Sequence, residues 1–379
     1  MRLSCLRSLA LAVADLVVSQ KNGSVEVSCT WLLLAESAII LPVNSTHTAR
    51  QALQAELFPA GIPRLWCPTL THFRAAHTPA PERIGAHLAA LAPHVRGILV
   101  PGSTGEGWEM SDADIHALLA IVLEAAAAQG IRVLIGVLKT STEEMLACLE
   151  SLEPLRTHPA VAGVTICPPK GSELSQQALC DGLSRVLSLG WPTALYQLPQ
   201  VTRNEMSPET VALLVAEFSN IILFKDTSGE DRVATSGLDF GGVFLVRGAE
   251  RGGYAPWPKS AGGPYDGFLL STANVFAPEL SEILCLLDSG EQAAAKALSQ
   301  TLETVVSAAF ALVAEFPHGN AFANANKVLD HCRAYGASAA TTIEPPLLYS
   351  GVRLPQRFIE AGAELLQAHQ LLPERGCLR

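Results

Sequence analysis

The chain has 379 residues, of which 49% are apolar and only 16% charged, so a large part of it must be buried in a core. Its length exceeds the usual domain of about 100 to 200 residues, but barrels of alternating strands and helices form single units of about 250 residues. The net charge of -10 is spread along the chain without a basic run. Because nothing here attracts phosphate backbones or anionic lipids, we expect neither nucleic acid nor a membrane as a partner.

Residues 1–60 differ in composition from the rest of the chain. Arg2 and Arg7 precede an apolar stretch at residues 9–18, which resembles a weak signal peptide, but a second apolar run follows at 31–43. We therefore predict a poorly ordered N-terminal extension, with export or a misplaced translation start as alternatives. Neither run reaches the roughly 18 apolar residues that a spanning helix needs, so no transmembrane segment is expected and the predicted location is the cytoplasm.

From residue 62 onward, short apolar runs alternate with amphipathic stretches. This alternation is typical of repeated strand–helix units around a parallel sheet. Eight such runs suit a closed (β/α)8 barrel, the α/β fold that we predict for residues 61–290. The predicted strands are 64–68, 97–101, 132–137, 162–167, 193–198, 221–225, 243–247 and 268–271.

Two helices between these strands have clear boundary signals. The helix predicted at 111–129 opens on Ser-Asp-Ala-Asp and stops at Gly130, and the helix at 207–218 has Pro208 at its first position. No strand pattern follows the eighth strand, so residues 291–379 are predicted to form a helical C-terminal annex. Its helices are predicted at 292–315, 321–335 and 356–371.

Nine cysteines are scattered without a CxxC pair, and the ten histidines show neither HxH nor HExxH spacing. The cysteines are therefore predicted to be reduced thiols that fill the core. No compact set of histidine, cysteine and carboxylate ligands is present in the sequence pattern. We expect neither a metal nor a cofactor.

The sixth predicted strand ends in a lysine, Lys225, and a turn follows at 226–229. In a (β/α)8 barrel the active site lies at the carboxyl ends of the strands, so the amine would lie at the mouth. A nucleophilic lysine needs its pKa lowered from about 10.4 to roughly 7 or 8, which costs about 4 kcal/mol and is within reach of burial. Lys225 is the predicted nucleophile; a lysine whose stem only packs at a strand end is the alternative.

Two further segments lie at the ends of other predicted strands. The fifth strand contains Tyr196, at a comparable height to Lys225, and adjacent strands lie about 5 Å apart. Its hydroxyl could transfer protons as an acid and then as a base. The second strand is followed by Gly102, Ser103 and Thr104, whose backbone N–H groups and hydroxyls could hold a carboxylate.

Together these segments resemble the dihydrodipicolinate synthase and N-acetylneuraminate lyase family of class I aldolases over about residues 62–355. Four motifs occur in the same order as in the family, at 102–106 (GSTGE), 196–199 (YQLP), 224–229 (FKDTSG) and 266–274 (DGFLLSTAN). The segments at 324–327 (NANK) and 353–355 (RLP) resemble the family's helical tail.

The resemblance implies that Lys225 condenses with the keto group of a 2-keto acid such as pyruvate and that Tyr196 relays protons. Ser103 and Thr104 would hold the substrate carboxylate, and the predicted binding set also includes Gly102, Thr227 and Gly248. The resemblance further implies a homotetramer built as a dimer of dimers.

The chain departs from the pattern of dihydrodipicolinate synthases at two places. An arginine stands five residues after the tyrosine in those enzymes, whereas here that position is Val201, with Arg203 two residues further on. Their paired-tyrosine segment after the fourth strand is replaced by residues 167–171 (CPPKG). Trp108 and a long segment at 251–264 could give the pocket an unusual shape. The absence of the arginine argues against a role in lysine biosynthesis.

Three hypotheses about the function therefore stay open. The first is a lyase that cleaves or condenses a 2-keto-3-deoxy sugar acid or a related 4-hydroxy-2-keto acid. The second is a dehydratase that acts on a deoxy-keto sugar diacid through the same imine, since the imine serves as electron sink in both reactions. The third is a barrel that binds a keto acid as a sensor without catalysis.

Overall fold

The structure, a computed structural model, describes residues 14–21, 24–31, 43–337 and 342–378. The chain divides into two compact units, Met1–Pro42 and Val43–Arg379. The first unit contains two antiparallel strands, β1 (Ala14–Lys21) and β2 (Ser24–Trp31). Most of the two N-terminal apolar runs lies outside the described residues.

The second unit is built around a closed barrel of eight parallel strands in chain order, which confirms the predicted fold. Each strand is a short apolar run covered on both sides, as parallel sheets require. Observed bounds differ from the predicted ones by a few residues. The barrel strands are β3 (Leu65–Pro68), β6 (Gly97–Val100), β7 (Arg132–Val137), β8 (Val161–Ile166), β9 (Thr193–Gln197), β10 (Ile221–Asp226), β11 (Phe244–Arg247) and β12 (Gly267–Leu269). A separate small hairpin, β4 (Phe73–Ala75) and β5 (Thr78–Pro79), follows β3.

Side chains alternate between the barrel interior and the layer beneath the helices. In β6, Leu99 belongs to the interior cluster, while Ile98 and Val100 belong to the outer one. Trp66 fills the interior beside Gly97, where a Cβ atom would lie 2.3 Å from the indole ring. Glycine at this position therefore makes room for the largest side chain in the barrel.

Helices cover the barrel and form the annex. Both boundary signals predicted for α3 (Asp112–Gln129) are observed. Ser111 caps this helix by accepting a hydrogen bond from the Asp114 N–H, and Gly130 ends it in the left-handed region at φ 65°. The longer helices of the covering layer are α2 (Pro81–Leu91), α3 (Asp112–Gln129), α4 (Thr142–Leu152), α5 (Gln176–Leu187), α7 (Pro208–Glu217) and α9 (Ala273–Asp288), with short turns α6 (Pro199–Thr202) and α8 (Arg232–Thr235). The annex contains α10 (Gln292–Val313), α11 (Ala321–Tyr335) and α12 (Gln356–Ala368).

Helix α1 (Val43–Leu57) lies within the segment for which the sequence suggested poor order, and the structure gives these residues a regular helix. Its Arg50 is 1% exposed and donates to the carbonyls of Ile221 (2.7 Å) and Phe218 (2.9 Å). Gln54 donates to the carbonyl of Ile222 at 2.9 Å. These bonds satisfy backbone carbonyls at the amino-terminal end of β10, so α1 is part of the barrel unit. The boundaries at residues 61, 290 and 291 stay a prediction.

No helix among the described residues is long and apolar enough to cross a membrane. Cys67, Cys148, Cys167 and Cys332 are free and buried, as predicted for core thiols, while Cys285 and Cys377 are free and exposed.

Candidate active site

Lys225 and Tyr196 meet at the carboxyl-terminal mouth of the barrel. They are direct partners in the register of β10 and β9, and the lysine Nζ lies 4.0 Å from the centre of the tyrosine ring. The two side chains are only 4% and 2% exposed. The structure thus brings the predicted nucleophile and the predicted proton donor together in a dry environment.

Burial changes the charge state of Lys225. Loss of hydration lowers the pKa of its ammonium group to about 7, and the neighbouring Cys167 and Glu250 only partly oppose this shift. A large fraction of the amine is therefore neutral near pH 7, where an ordinary lysine is almost entirely charged. A neutral amine has the lone pair that nucleophilic attack on a carbonyl carbon requires.

Tyr196 faces the hydroxyl groups of Ser103 and Thr227. Burial raises the pKa of its phenol, and the hydroxyls of Ser103 and Thr227 partly offset the rise. Cys167 and Leu198 pack on the ring, and Trp108 and Val201 cover this apolar cluster. Three positions at which the chain departs from the family pattern or shapes the pocket, Trp108, Cys167 and Val201, therefore belong to or pack against the apolar cluster that contains Tyr196.

The loop after β6 brings two hydroxyls to Lys225. Ser103 and Thr104 are 9% and 3% exposed, and both line a small cavity at the lysine amine. The indole N–H of Trp108 donates to Ser103 Oγ at 2.8 Å. The cavity is lined by Pro68, Ser103, Thr104, Tyr196, Lys225, Thr227, Gly248, Ser271 and Phe322.

Gly102 does not line this cavity. Its carbonyl accepts hydrogen bonds from the N–H groups of Gly105 and Gly107, both at 3.0 Å, and these bonds hold the loop in its turn conformation. The sequence placed Gly102 with the ligand-contacting residues, whereas the structure gives it a supporting position.

Gly248 lies directly against the Lys225 side chain. A Cβ atom here would lie 2.8 Å from Lys225 Cε and 2.3 Å from Thr227 Oγ1. Its N–H donates to the Asp226 carbonyl at 2.6 Å. Glycine therefore lets β10 and the end of β11 approach each other around the lysine stem.

The loop also has a charged support that the sequence did not reveal. Glu106, next to the hydroxyl residues, forms an ion pair with Lys327 of α11, and each side chain is 1% exposed. The same carboxylate accepts the N–H of Tyr349 at 2.8 Å. Asn320 donates to the Ser103 carbonyl at 3.1 Å, so the annex holds the loop at two points.

Glu250 is a second polar group that sequence reasoning missed. It accepts from Ser271 Oγ (2.6 Å), Thr272 Oγ1 (2.8 Å) and the Tyr254 hydroxyl (3.1 Å). The long segment at 251–264 thus supplies a tyrosine that fixes this carboxylate, and its Trp257 stacks on Arg247 at 3.7 Å. The only sequence signal for Glu250 was its place shortly after the seventh strand.

A larger cavity of about 880 Å³ adjoins the small one, and Thr227 and Phe322 line both. Glu250 belongs to its barrel side, whereas Val306 and Phe310 form an apolar wall on the annex side. The two cavities together offer room for a small reacting group at Lys225 and for a longer remainder beside it.

Among the residues that the structure describes, one group of side chains has ligand atoms close enough to hold a metal. The ligand atoms of His72, His87 and Asp330 lie within 4.8 Å of one another. Asp330, however, already pairs with Arg83, and its other oxygen lies 3.2 Å from His87 Nδ1. Because a guanidinium supplies the counter-charge, this arrangement is an ion-pair cluster, not a cation site.

The protein is thus a (β/α)8 barrel in which a buried lysine is paired with a tyrosine at the mouth and a loop with two hydroxyl side chains lies beside them. The family model described as the dihydrodipicolinate synthetase family matches residues 90–319, more than half of the chain. The chain belongs to this family.

Similar proteins agree with that assignment. A 4-hydroxy-tetrahydrodipicolinate synthase of Agrobacterium fabrum is 28% identical over 246 residues, which cover 63% of this chain and 78% of that protein. An uncharacterized DapA-like lyase of Rhizobium meliloti is 30% identical over 136 residues, covering 36% of this chain and only 43% of that protein. The structure of YagE, a family member from Escherichia coli K12 in complex with pyruvate, has a TM-score of 0.64 and 20% identity, and the match covers 82% of this chain and 99% of that one. At this identity the structural likeness concerns the fold.

Proposed function

We propose that this protein is a class I lyase that forms a Schiff base between Lys225 and a 2-keto acid. The observation that carries the proposal is the buried amine of Lys225, whose pKa is lowered to about 7 by loss of hydration. The fold is that of the family's class I aldolases, and the related YagE structure contains pyruvate.

The reaction follows from the neighbours of the lysine. The neutral amine adds to the keto carbon, Tyr196 gives its proton to the departing hydroxyl, and water leaves as the protonated imine forms. When the C3–C4 bond breaks, its electron pair moves into the imine and produces an enamine. As this bond breaks, the phenolate of Tyr196 takes the proton of the C4 hydroxyl, which regenerates the phenol and releases an aldehyde. Protonation of the enamine at C3 and addition of water to the resulting imine then release the keto acid and free Lys225.

The remaining residues of the small cavity are assigned to binding. Ser103 and Thr104 donate hydroxyl and backbone hydrogen bonds to the substrate carboxylate, and Thr227 lies between the small and large cavities. Gly248 permits the close approach described above, and Gly102 shapes the loop. None of these steps calls for a cofactor.

We place the substrate among 2-keto-3-deoxy sugar acids and related 4-hydroxy-2-keto acids. The synthesis of 4-hydroxy-tetrahydrodipicolinate, the activity in the name of the Agrobacterium relative, fits poorly because Val201 stands at the position of the second carboxylate-binding arginine. Arg203 is exposed at the end of α6. A dehydratase that uses the same imine remains the second candidate.

A screen of 2-keto-3-deoxy acids separates these candidates. Released pyruvate indicates a lyase, whereas loss of water with retention of the carbon skeleton, identified by NMR, indicates a dehydratase. Binding of the acids in calorimetry without turnover or a trapped imine would favour a sensor. We further propose a cytoplasmic homotetramer, and light scattering on the purified full chain tests its assembly.

A further inference from the structure

A second polar cavity, of about 320 Å³, lies away from Lys225, between the β4–β5 hairpin, α2 and α11. Its lining contains the three arginines Arg74, Arg83 and Arg353 and the two carboxylates Asp330 and Glu344. Three cations against two anions leave one net positive charge, although the chain as a whole carries -10. The cavity is therefore a local site of attraction for anions.

Both carboxylates in the lining already have partners. Asp330 pairs with Arg83 and with His87, and Glu344 pairs with Arg353 at 2.8 Å. Arg74 is exposed and forms no hydrogen bond or ion pair with any other residue that the structure describes. One full positive charge thus remains available at the rim.

Two buried nitrogen atoms in this region also have unused hydrogen-bonding capacity. Arg83 Nη1 and His72 Nε2 have no hydrogen-bond partner within the described part of the chain, although Asp330 Oδ2 lies 3.8 Å from His72 Nε2. His72 is only 6% exposed. Burial, and to a smaller extent the positive charge of Arg83, lowers the pKa of its ring well below 6.5. The ring is therefore neutral near pH 7. Because unpaired buried polar groups are costly, two of them beside one cavity point to a ligand that pairs with both.

We propose that this cavity binds a compact oxyanion, either a phosphate group or a small polycarboxylate. One oxygen accepts from Arg83 Nη1, another accepts from His72 Nε2 in the tautomer that carries its proton there, and Arg74 neutralises the remaining charge. A guanidinium group suits such oxygens because its donors lie in one plane. The site is separate from Lys225 and does not depend on the proposed lyase activity.

Titration calorimetry on the full chain tests the proposal, with inorganic phosphate in one arm and citrate in the other, at an ionic strength held constant with sodium chloride. We expect saturable binding of at least one anion at one site per chain. Arg74→Glu should weaken it by about tenfold or more. Lys296→Glu, the same charge change on an exposed position of α10, should leave it unchanged.

The anion affinities of His72→Phe and Lys225→Met show which cavity the anion occupies. The first removes an unpaired nitrogen but keeps a ring, so the protein should stay folded while binding weakens; the second should bind like the parent protein. The proposal is overturned if neither anion binds saturably at millimolar concentration, or if Arg74→Glu and His72→Phe bind like the parent. Weakening by Lys296→Glu equal to that by Arg74→Glu, or loss of binding in Lys225→Met, would also contradict it.

Discussion

Lys225 and Tyr196 are direct register partners on neighbouring strands, and the amine of the lysine lies over the face of the tyrosine ring at 4.0 Å. Since both side chains are almost completely buried, the strand pairing itself fixes the distance between a nucleophile and a proton donor. Such preorganisation lowers the entropic cost of a reaction that needs both groups.

The pKa of Lys225 predicts how imine formation depends on pH. Only the neutral amine attacks a keto group, and with a pKa of about 7 its fraction increases as the pH rises through that value. The rate at which pyruvate and cyanoborohydride modify the protein should therefore rise from pH 6 and level off above about pH 8. A rate that keeps rising toward pH 10 would show that the lysine has an ordinary pKa.

Replacing Tyr196 with Phe keeps the packing of the ring and removes one hydroxyl. Because this hydroxyl is assigned to proton transfer, the turnover number should fall by about 10² to 10⁴. Affinity for pyruvate should change little, which fluorescence or calorimetric titration can measure. If binding is lost while the turnover number is kept, Tyr196 has a binding role instead.

Trp108 orients Ser103 through the 2.8 Å hydrogen bond from its indole N–H. Trp108→Phe should leave the Ser103 hydroxyl less well oriented toward the substrate carboxylate and raise the Michaelis constant by about two- to tenfold. In a Ser103→Ala background the same substitution should have little further effect. Equal effects of Trp108→Phe in both backgrounds would show that the tryptophan acts through packing alone.

The buried pair of Lys327 and Glu106 predicts an effect on stability. Lys327→Met leaves the Glu106 carboxylate buried without its partner, which should cost about 3 to 5 kcal/mol of unfolding free energy. The double variant Lys327→Met/Glu106→Gln should recover part of this loss, because it removes the uncompensated charge. Thermal unfolding of the three proteins provides the comparison, and a single variant as stable as the parent would contradict the prediction.

The barrel and the place of Lys225 could be predicted from local sequence, because alternation of apolar runs and a polar residue at a strand end are short-range patterns. The roles of Glu250 and Glu106 could not, since their partners come from other loops and from the annex. The same holds for α1, whose Arg50 bonds to carbonyls about 170 residues away in the chain. The binding role of Gly102 stays a prediction, because spacing does not distinguish a ligand-contacting glycine from one that supports the loop.

Borohydride trapping with pyruvate, followed by peptide mass spectrometry, tests whether Lys225 forms the Schiff base. We expect a reduced pyruvyl adduct on the peptide that contains Lys225, no adduct on other lysines, and none in Lys225→Met. The methionine variant should stay folded, because it keeps the apolar stem and removes a buried amine. An unmodified parent protein, or an adduct that persists in Lys225→Met, would contradict Schiff-base catalysis at this residue.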